Sequence, residues 1–144
     1  MTLPARWNPD DDEGRIAVEF VMWVPAVLLF FALAMVAGRV IAASNAVDAA
    51  AADAAREASL ARTADEAYPR AKAAAQSAFD DSKLHCASTS VTVDTSGFSA
   101  PLGQYGAVTA RVRCTVSLAD LGAGFGSKTV ESSFTSVIDR YRQR

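Results

Sequence analysis

One uninterrupted apolar run, from Phe20 to Gly38, constrains this chain more than any other feature. The run, FVMWVPAVLLFFALAMVAG, contains no charged residue. Its length meets the roughly 18 to 20 residues that a helix needs to cross a hydrocarbon core about 30 Å thick. Its Leu, Val and Phe residues each favour insertion by about 0.3–0.6 kcal/mol, and a membrane helix tolerates a proline such as Pro25 near its start. The apolar run therefore predicts a single membrane-spanning helix.

A secretory signal peptide is the alternative interpretation of the apolar run. Such a peptide has a basic start, an apolar core of about 7–15 residues and a small-residue cleavage site. Here the preceding residues, NPDDDEGR, carry four acids before Arg15, and the best cleavage site, around Val40 to Ala42, is followed by more helix-forming sequence. These features favour an anchor that stays in the mature chain, and the signal peptide stays open as the alternative.

Two helices are expected before residue 85. The sequence over 40–61, VIAASNAVDAAAADAAREASLA, is rich in alanine, the strongest helix former, and contains neither Gly nor Pro. The membrane helix is therefore expected to continue to about residue 62. Thr63 followed by Glu66 matches a capping box, which predicts a second helix over about 64–84. The small side chains would let helices approach closely, although the alanines can equally reflect compositional bias.

Three later segments alternate between apolar and polar residues, as strands do. They are SVTVD at 90–94, AVTARVRCTVSL at 107–118 and TVESSFTSVIDRY at 129–141, with Gly- and Ser-rich linkers between them. The expected inward positions are Val91 and Val93; Val108, Ala110, Val112, Cys114, Val116 and Leu118; and Val130, Phe134 and Ile138. A three-stranded antiparallel sheet needs a cover on its apolar face, and we expect the second helix to supply it.

Cys86 and Cys114 are the only cysteines, and neither lies in a cluster of metal ligands. One disulfide between them would close a loop of 28 residues, which stabilises a fold by roughly 3–4 kcal/mol on the loop-entropy model. Because disulfides persist in oxidising compartments, this bond would place the C-terminal domain outside the cytoplasm and the N-terminus inside. Two buried free thiols remain the alternative.

No catalytic or ligand-binding motif emerges from the rest of the chain. The net charge of −2 offers no basic field for nucleic acid. His85 precedes Cys86 directly, and adjacent residues seldom align a base with a nucleophile. The loop GAGFGSKT, at 122–129, departs from the phosphate-binding pattern because Ser127 stands where a glycine should precede the lysine. We expect no enzymatic activity, no cofactor, no metal and no nucleic-acid partner.

The segment EGRIAVEF, at 13–20, places a single carboxylate, Glu19, directly against the apolar run. A glycine (Gly14), four variable residues, then Glu19 and Phe20 ahead of a long apolar helix resemble the processing motif of the type IV prepilin family. The resemblance is closest to the TadE-like pseudopilins of the tight-adherence (Flp) pilus system. Pro25, the Ala/Arg-rich continuation and the small sheet extend it over nearly the whole chain. One departure is the acidic leader, since prepilin leaders are more often basic.

The resemblance implies an α+β, pilin-like fold in three parts. These are a leader peptide (1–14), a transmembrane and extended N-terminal helix (15–62) and an extracytoplasmic α+β domain (63–144). A prepilin peptidase would cut after Gly14 and leave Arg15 as the new N-terminus. Glu19 would then attract the free amine of a neighbouring subunit, and Phe20 would help to pack the helices. An interfacial Glu19 without any partner is the alternative.

The resemblance also implies a function and a location. The protein would be a minor pilin or pseudopilin in the cytoplasmic (inner) membrane, crossing it once, and its partners would be the prepilin peptidase, other pilin subunits, the pilus assembly platform and membrane lipid. A different class remains open, which is a single-pass, signal-anchored extracytoplasmic binding module. The mature N-terminus distinguishes the two.

Overall fold

The computed structural model describes residues 11–101, 103–117, 119 and 126–139, with side chains from Phe20 onward. In chain order the elements are helix α1 (Asp11–Ser59), helix α2 (Ala64–Ser82), strand β1 (Ser88–Asp94), a 3-10 turn (Ser96–Ser99), strand β2 (Gly106–Ser117) and strand β3 (Ser127–Ile138). This order confirms the predicted α+β arrangement of a long apolar N-terminal helix, a second helix and three strands. Residues 1–10 of the expected leader, Leu118 and the end of the third expected strand lie outside the described residues.

The break between the helices follows from a capping box. Thr63 is extended, with φ −129° and ψ 159°, and its Oγ1 accepts a hydrogen bond of 3.3 Å from the backbone N–H of Glu66. In return, Glu66 Oε2 accepts a bond of 3.3 Å from the backbone N–H of Arg62, one residue before the cap. Both bonds satisfy backbone donors at the helix start, as the sequence predicts.

The sheet is antiparallel with the order β1-β2-β3, so β2 is central. Its register places Val91 opposite Val112, and Cys114 opposite Val130. The alternation predicted for β2 is confirmed, because one face of the strand is buried and the other is not. The buried residues are Val108, Ala110, Val112, Cys114 and Val116.

The two edge strands bury less than the central one. Val91 and Val93 of β1 and Val130 of β3 are half-buried, and Ile138 is buried. Phe134 shares the inward face of β3, as predicted, but its side chain remains 42% exposed. Strand alternation predicts the face of a residue, whereas burial on an edge strand also depends on what lies above it.

Both helices cover the sheet. The predicted contribution of α2 is confirmed by Ala67, Ala71, Ala75 and Phe79, which share one hydrophobic cluster with the inward face of β2. The later part of α1 joins the same cluster, which the sequence prediction did not include. Its buried members are Val47, Ala50, Ala51, Ala54, Ala55 and Ala58. The chain accordingly divides into two compact units, one ending at Ala37 and the other beginning at Gly38.

Candidate functional site

The side chains at the start of the apolar run are uncovered on every side of α1. Phe20, Val21, Met22 and Trp23 follow one another and are 68–75% exposed. At 3.6 residues per turn, four consecutive side chains point in all directions around a helix. A helix that is apolar all round belongs in a core or in a membrane.

The described residues contain one helix long and apolar enough to cross a membrane, within Phe20–Ser59, and none of its most apolar stretch is buried. The core helix of a soluble protein would be mostly buried. The apolar run is therefore a membrane anchor or a signal segment, as its composition predicts.

The predicted processing residues lie in the first turns of α1, which begins at Asp11. Gly14 and Arg15 are helical in their backbone, and Glu19 falls one residue before Phe20 at the edge of the apolar run. Gly14 and Glu19 are five positions apart, or about 7.5 Å along the axis at 1.5 Å per residue. Their side chains lie outside the described part of the structure, so their roles in processing and assembly remain predictions.

A disulfide joins Cys86 to Cys114, with their Cα atoms 5.5 Å apart. Cys114 belongs to the buried face of β2, and Cys86 to the short connection between α2 and β1. Beside the bond, the backbone N–H of Ala87 donates to the carbonyl of Thr115 at 2.7 Å. The connection is thus fixed to the central strand before β1 begins. Because its sulfur is bonded to Cys114, Cys86 has no thiolate to pair with His85.

A charged cluster on the outer face of the sheet was not anticipated from the sequence. Arg113 lies opposite Glu131 in the register, and its Nε and Nη2 donate to the two carboxylate oxygens at 2.7 and 3.3 Å. Arg111 Nε lies 3.2 Å from Glu131 Oε1. The alternation of β2 predicts that these arginines face outward, but only the register between strands gives their partner.

Hydrogen bonding shifts the titration of this cluster. The bonds from the Arg113 guanidinium, followed by its charge and that of Arg111, lower the pKa of the Glu131 carboxyl below its usual range. The same bonds raise the pKa of Arg113. All three side chains are about half exposed, and ion pairs of that kind stabilise a fold only weakly. The cluster therefore orders the outer face of the sheet and offers no catalytic group.

Metal-ligand geometry is absent from the part of the chain that the structure describes. No group of three or more His, Cys, Asp or Glu side chains is arranged there to hold an ion. The features that bear on function are thus the segment before the apolar run, the run itself and the disulfide-linked unit that follows.

Comparison with known proteins bears on the segment before the apolar run and on the run itself. Residues 14–56 match the model of a family described as TadE-like protein. No curated protein and no solved structure matches the chain. The matched segment begins at Gly14, contains the whole apolar run and ends within the packed part of α1. The resemblance seen in the sequence is thereby confirmed, and residues 14–56 of this chain are similar to the TadE-like protein family.

Proposed function

We propose that this protein is a minor pilin or pseudopilin, a structural subunit of a tight-adherence (Flp-type) pilus. The observation that carries the proposal is that the family match begins at Gly14, the residue at which a prepilin processing motif would be cut. Glu19 and Phe20 follow at the motif's spacing, directly before a helix that is apolar on all sides. The match of residues 14–56 to the TadE-like family supports a structural role rather than an enzymatic one.

Processing is proposed to occur after Gly14 and to leave Arg15 as the N-terminus. A glycine lets the backbone approach the catalytic carboxylates of a membrane-embedded peptidase, because no side chain stands in the way. The backbone of Gly14 is helical in α1, so the cut requires this stretch of the helix to unwind locally in the peptidase.

Assembly is proposed to use Glu19 and the apolar run. The carboxylate of Glu19 would pair with the free amine of Arg15 on a neighbouring subunit, and Phe20 would pack against adjacent helices. Close to a hydrocarbon boundary the effective dielectric constant falls, so this attraction is stronger than in water. The exposed surface of the apolar run supplies the contact area for such helix packing.

The proposed orientation places the N-terminus in the cytoplasm and the unit beginning at Gly38 outside it. The disulfide supports this orientation, because such bonds persist in oxidising compartments. The proposed partners are a prepilin peptidase, other pilin subunits, the assembly platform and the lipid around the apolar run.

The mature N-terminus tests the proposal. Intact-mass analysis of the membrane protein, with and without its peptidase, should find a chain that starts at Arg15 only when the peptidase is present. Gly14→Leu should block the cut by filling the approach to the backbone, whereas the matched control Gly38→Leu should not, since the space around Gly38 is open. A wild-type chain that still starts at or next to Met1 would favour the signal-anchored binding module. A terminus near Ala43 would instead identify a secreted protein.

Glu19→Ala separates assembly from processing in the same experiment. Insertion and cleavage should persist, because Gly14 and the apolar run are unchanged, while co-purification with pilus subunits should fall by about tenfold, the equivalent of about 1.4 kcal/mol. Asp48→Ala is the control, since it removes an exposed carboxylate elsewhere on α1. Wild-type assembly of the Glu19 variant would remove this residue from the mechanism.

A further inference from the structure

A surface cavity of about 620 Å³ lies within the unit that begins at Gly38. It lies between three segments. These are α1 at residues 39–46, the end of α2 and its connection at residues 82–85, and the end of β2 at Val116. Ala43, Leu84 and Val116 contribute apolar surface, and Arg39, Lys83 and His85 contribute the ionisable groups. The cavity thus combines an apolar wall with basic side chains.

The basic side chains of this cavity have no ion-pair partner among the described residues. Within the described residues, Arg39, Lys83 and His85 take part in no ion pair and in no side-chain hydrogen bond. Among the residues that the structure describes, no carboxylate lines the cavity. Of the two acids in the last turn of α2, Asp81 lines a separate groove between the helices, and Asp80 lines neither. The cavity therefore carries unbalanced positive charge.

The connection that supplies two of these groups is fixed at both ends. At one end Lys83 closes α2 in the left-handed conformation, with φ 54° and ψ 29°, and the Leu84 N–H donates to the carbonyl of Phe79 at 3.1 Å. At the other end the disulfide ties Cys86 to β2. A preorganised site loses little conformational freedom when it binds a ligand. The fixed backbone of this connection therefore lowers the entropic cost of binding.

Along the chain, the cavity residues begin directly after the apolar run. Arg39 is the first charged residue after the apolar run. Ala46, the furthest cavity residue on α1, follows seven positions later, about 10 Å along a helix at 1.5 Å per residue. The headgroup layer of a bilayer is about 5–8 Å thick on each side, so this stretch of α1 spans a similar depth.

We propose that this cavity binds the phosphate group of an anionic phospholipid in the leaflet next to the apolar run. The Arg39 guanidinium can hold two phosphate oxygens, the Lys83 ammonium supplies a second positive charge, and the His85 imidazole bonds to a headgroup hydroxyl. The half-buried Leu84 contacts the first carbons of the lipid. The inference requires that the apolar run is in a membrane, on either orientation, and it does not depend on pilus assembly.

Native mass spectrometry of the full chain in detergent tests the site. Phosphatidylglycerol and phosphatidylcholine with identical acyl chains serve as probes. We expect one phosphatidylglycerol per chain, bound at least about tenfold more tightly than phosphatidylcholine, and a loss of at least about tenfold in R39Q/K83Q, since each tenfold change is about 1.4 kcal/mol. The control R62Q/K72Q removes two exposed cations that do not line the cavity and should keep the affinity.

Every other outcome overturns the proposal. Equal loss in both double variants means diffuse surface charge, and equal binding of the two lipids means contact through the acyl chains. Displacement by inorganic phosphate at the same concentration as the lipid means a site for free phosphate. Arg39 and Lys83 are exposed and form no ion pair among the described residues, so R39Q/K83Q should fold, as should the control R62Q/K72Q. Should the double variant unfold, Arg39→Gln alone must weaken phosphatidylglycerol binding, and an unchanged affinity refutes the site.

Discussion

Glu131 accepts hydrogen bonds from Arg113, which lies directly opposite on β2, and also lies close to Arg111. A carboxylate with two guanidinium groups around it stays ionised to lower pH than a solvated one. Because its pKa in the folded chain is lowered, the cluster stabilises the fold above the pKa of the unfolded chain. That stabilisation is lost as the pH falls through the lowered value.

Arg113→Gln should raise the pKa of Glu131 back towards that of a solvated glutamate, about 4.3. Arg111→Gln should raise it less, because Arg113 makes the hydrogen bonds and Arg111 contributes through its charge alone. An NMR titration of the Glu131 carboxyl carbon in both variants measures the two shifts. Equal shifts, or no shift in the Arg113 variant, would contradict this assignment of causes.

Some residue contacts were predictable and others were not, for a physical reason. The bond from the Glu66 N–H to Thr63 follows from spacing within three residues, so the sequence predicts it. The pairing of Arg113 with Glu131 depends on the register between strands separated by a linker, and alternation leaves that register open. Gly14, Arg15 and Glu19 need a peptidase and a second subunit to act, so their roles cannot be deduced from one folded chain.

At the scale of elements, α1 packs through alanines. The residues that it contributes to the core are almost all small, and Ala50, Ala51, Ala54 and Ala55 are fully buried. Small side chains bring the helix axis close to the neighbouring elements and leave no room for bulk. The buried alanines of α1 therefore limit the size of side chain that this face of the helix can hold.

Ala54→Leu should lower the free energy of unfolding by about 1–3 kcal/mol, because added methyl groups in a filled core force neighbours apart. Ala49→Leu is the matched control, since Ala49 is exposed on the same helix and both residues favour helices. The control should change stability by less than about 0.5 kcal/mol. Denaturant titration of the two variants compares them, and equal stability would show that the buried face has room to spare.

Hydrophobic patterns identify the buried face of some elements of this chain and not of others. In β2, apolar and polar residues alternate strictly, and the inward face follows directly. In residues 40–61 half of the positions are alanine, so the pattern predicts a helix but does not clearly identify the face that is buried. For the same reason the sequence assigned the cover of the sheet to α2 and missed the contribution of α1, which the structure supplies through residues such as Val47 and Ala58.

At the scale of the whole molecule, the division between units falls within α1, after Ala37. The part before it carries the exposed apolar side chains, and the part after it carries the sheet and the disulfide. One continuous helix thus contributes to a segment suited to lipid or partner helices and to a segment suited to water. The proposed pilus subunit would need both, because the unit that begins at Gly38 must stay folded while the surroundings of the apolar run change during assembly.

The oxidation state of the two cysteines reports whether the unit that begins at Gly38 lies in an oxidising compartment. Alkylation of the denatured, unreduced protein from membranes should add no mass, because both sulfurs are bonded to each other. After reduction, two alkyl groups should be added per chain. Replacing both cysteines by serine should destabilise the fold by about 2–4 kcal/mol, since the unfolded chain regains the freedom of the open loop. Ser99→Ala is the control, an exposed residue that should leave stability unchanged. Two reactive thiols before reduction would show that the protein lacks this bond in the cell. The support for an extracytoplasmic sheet would then be lost.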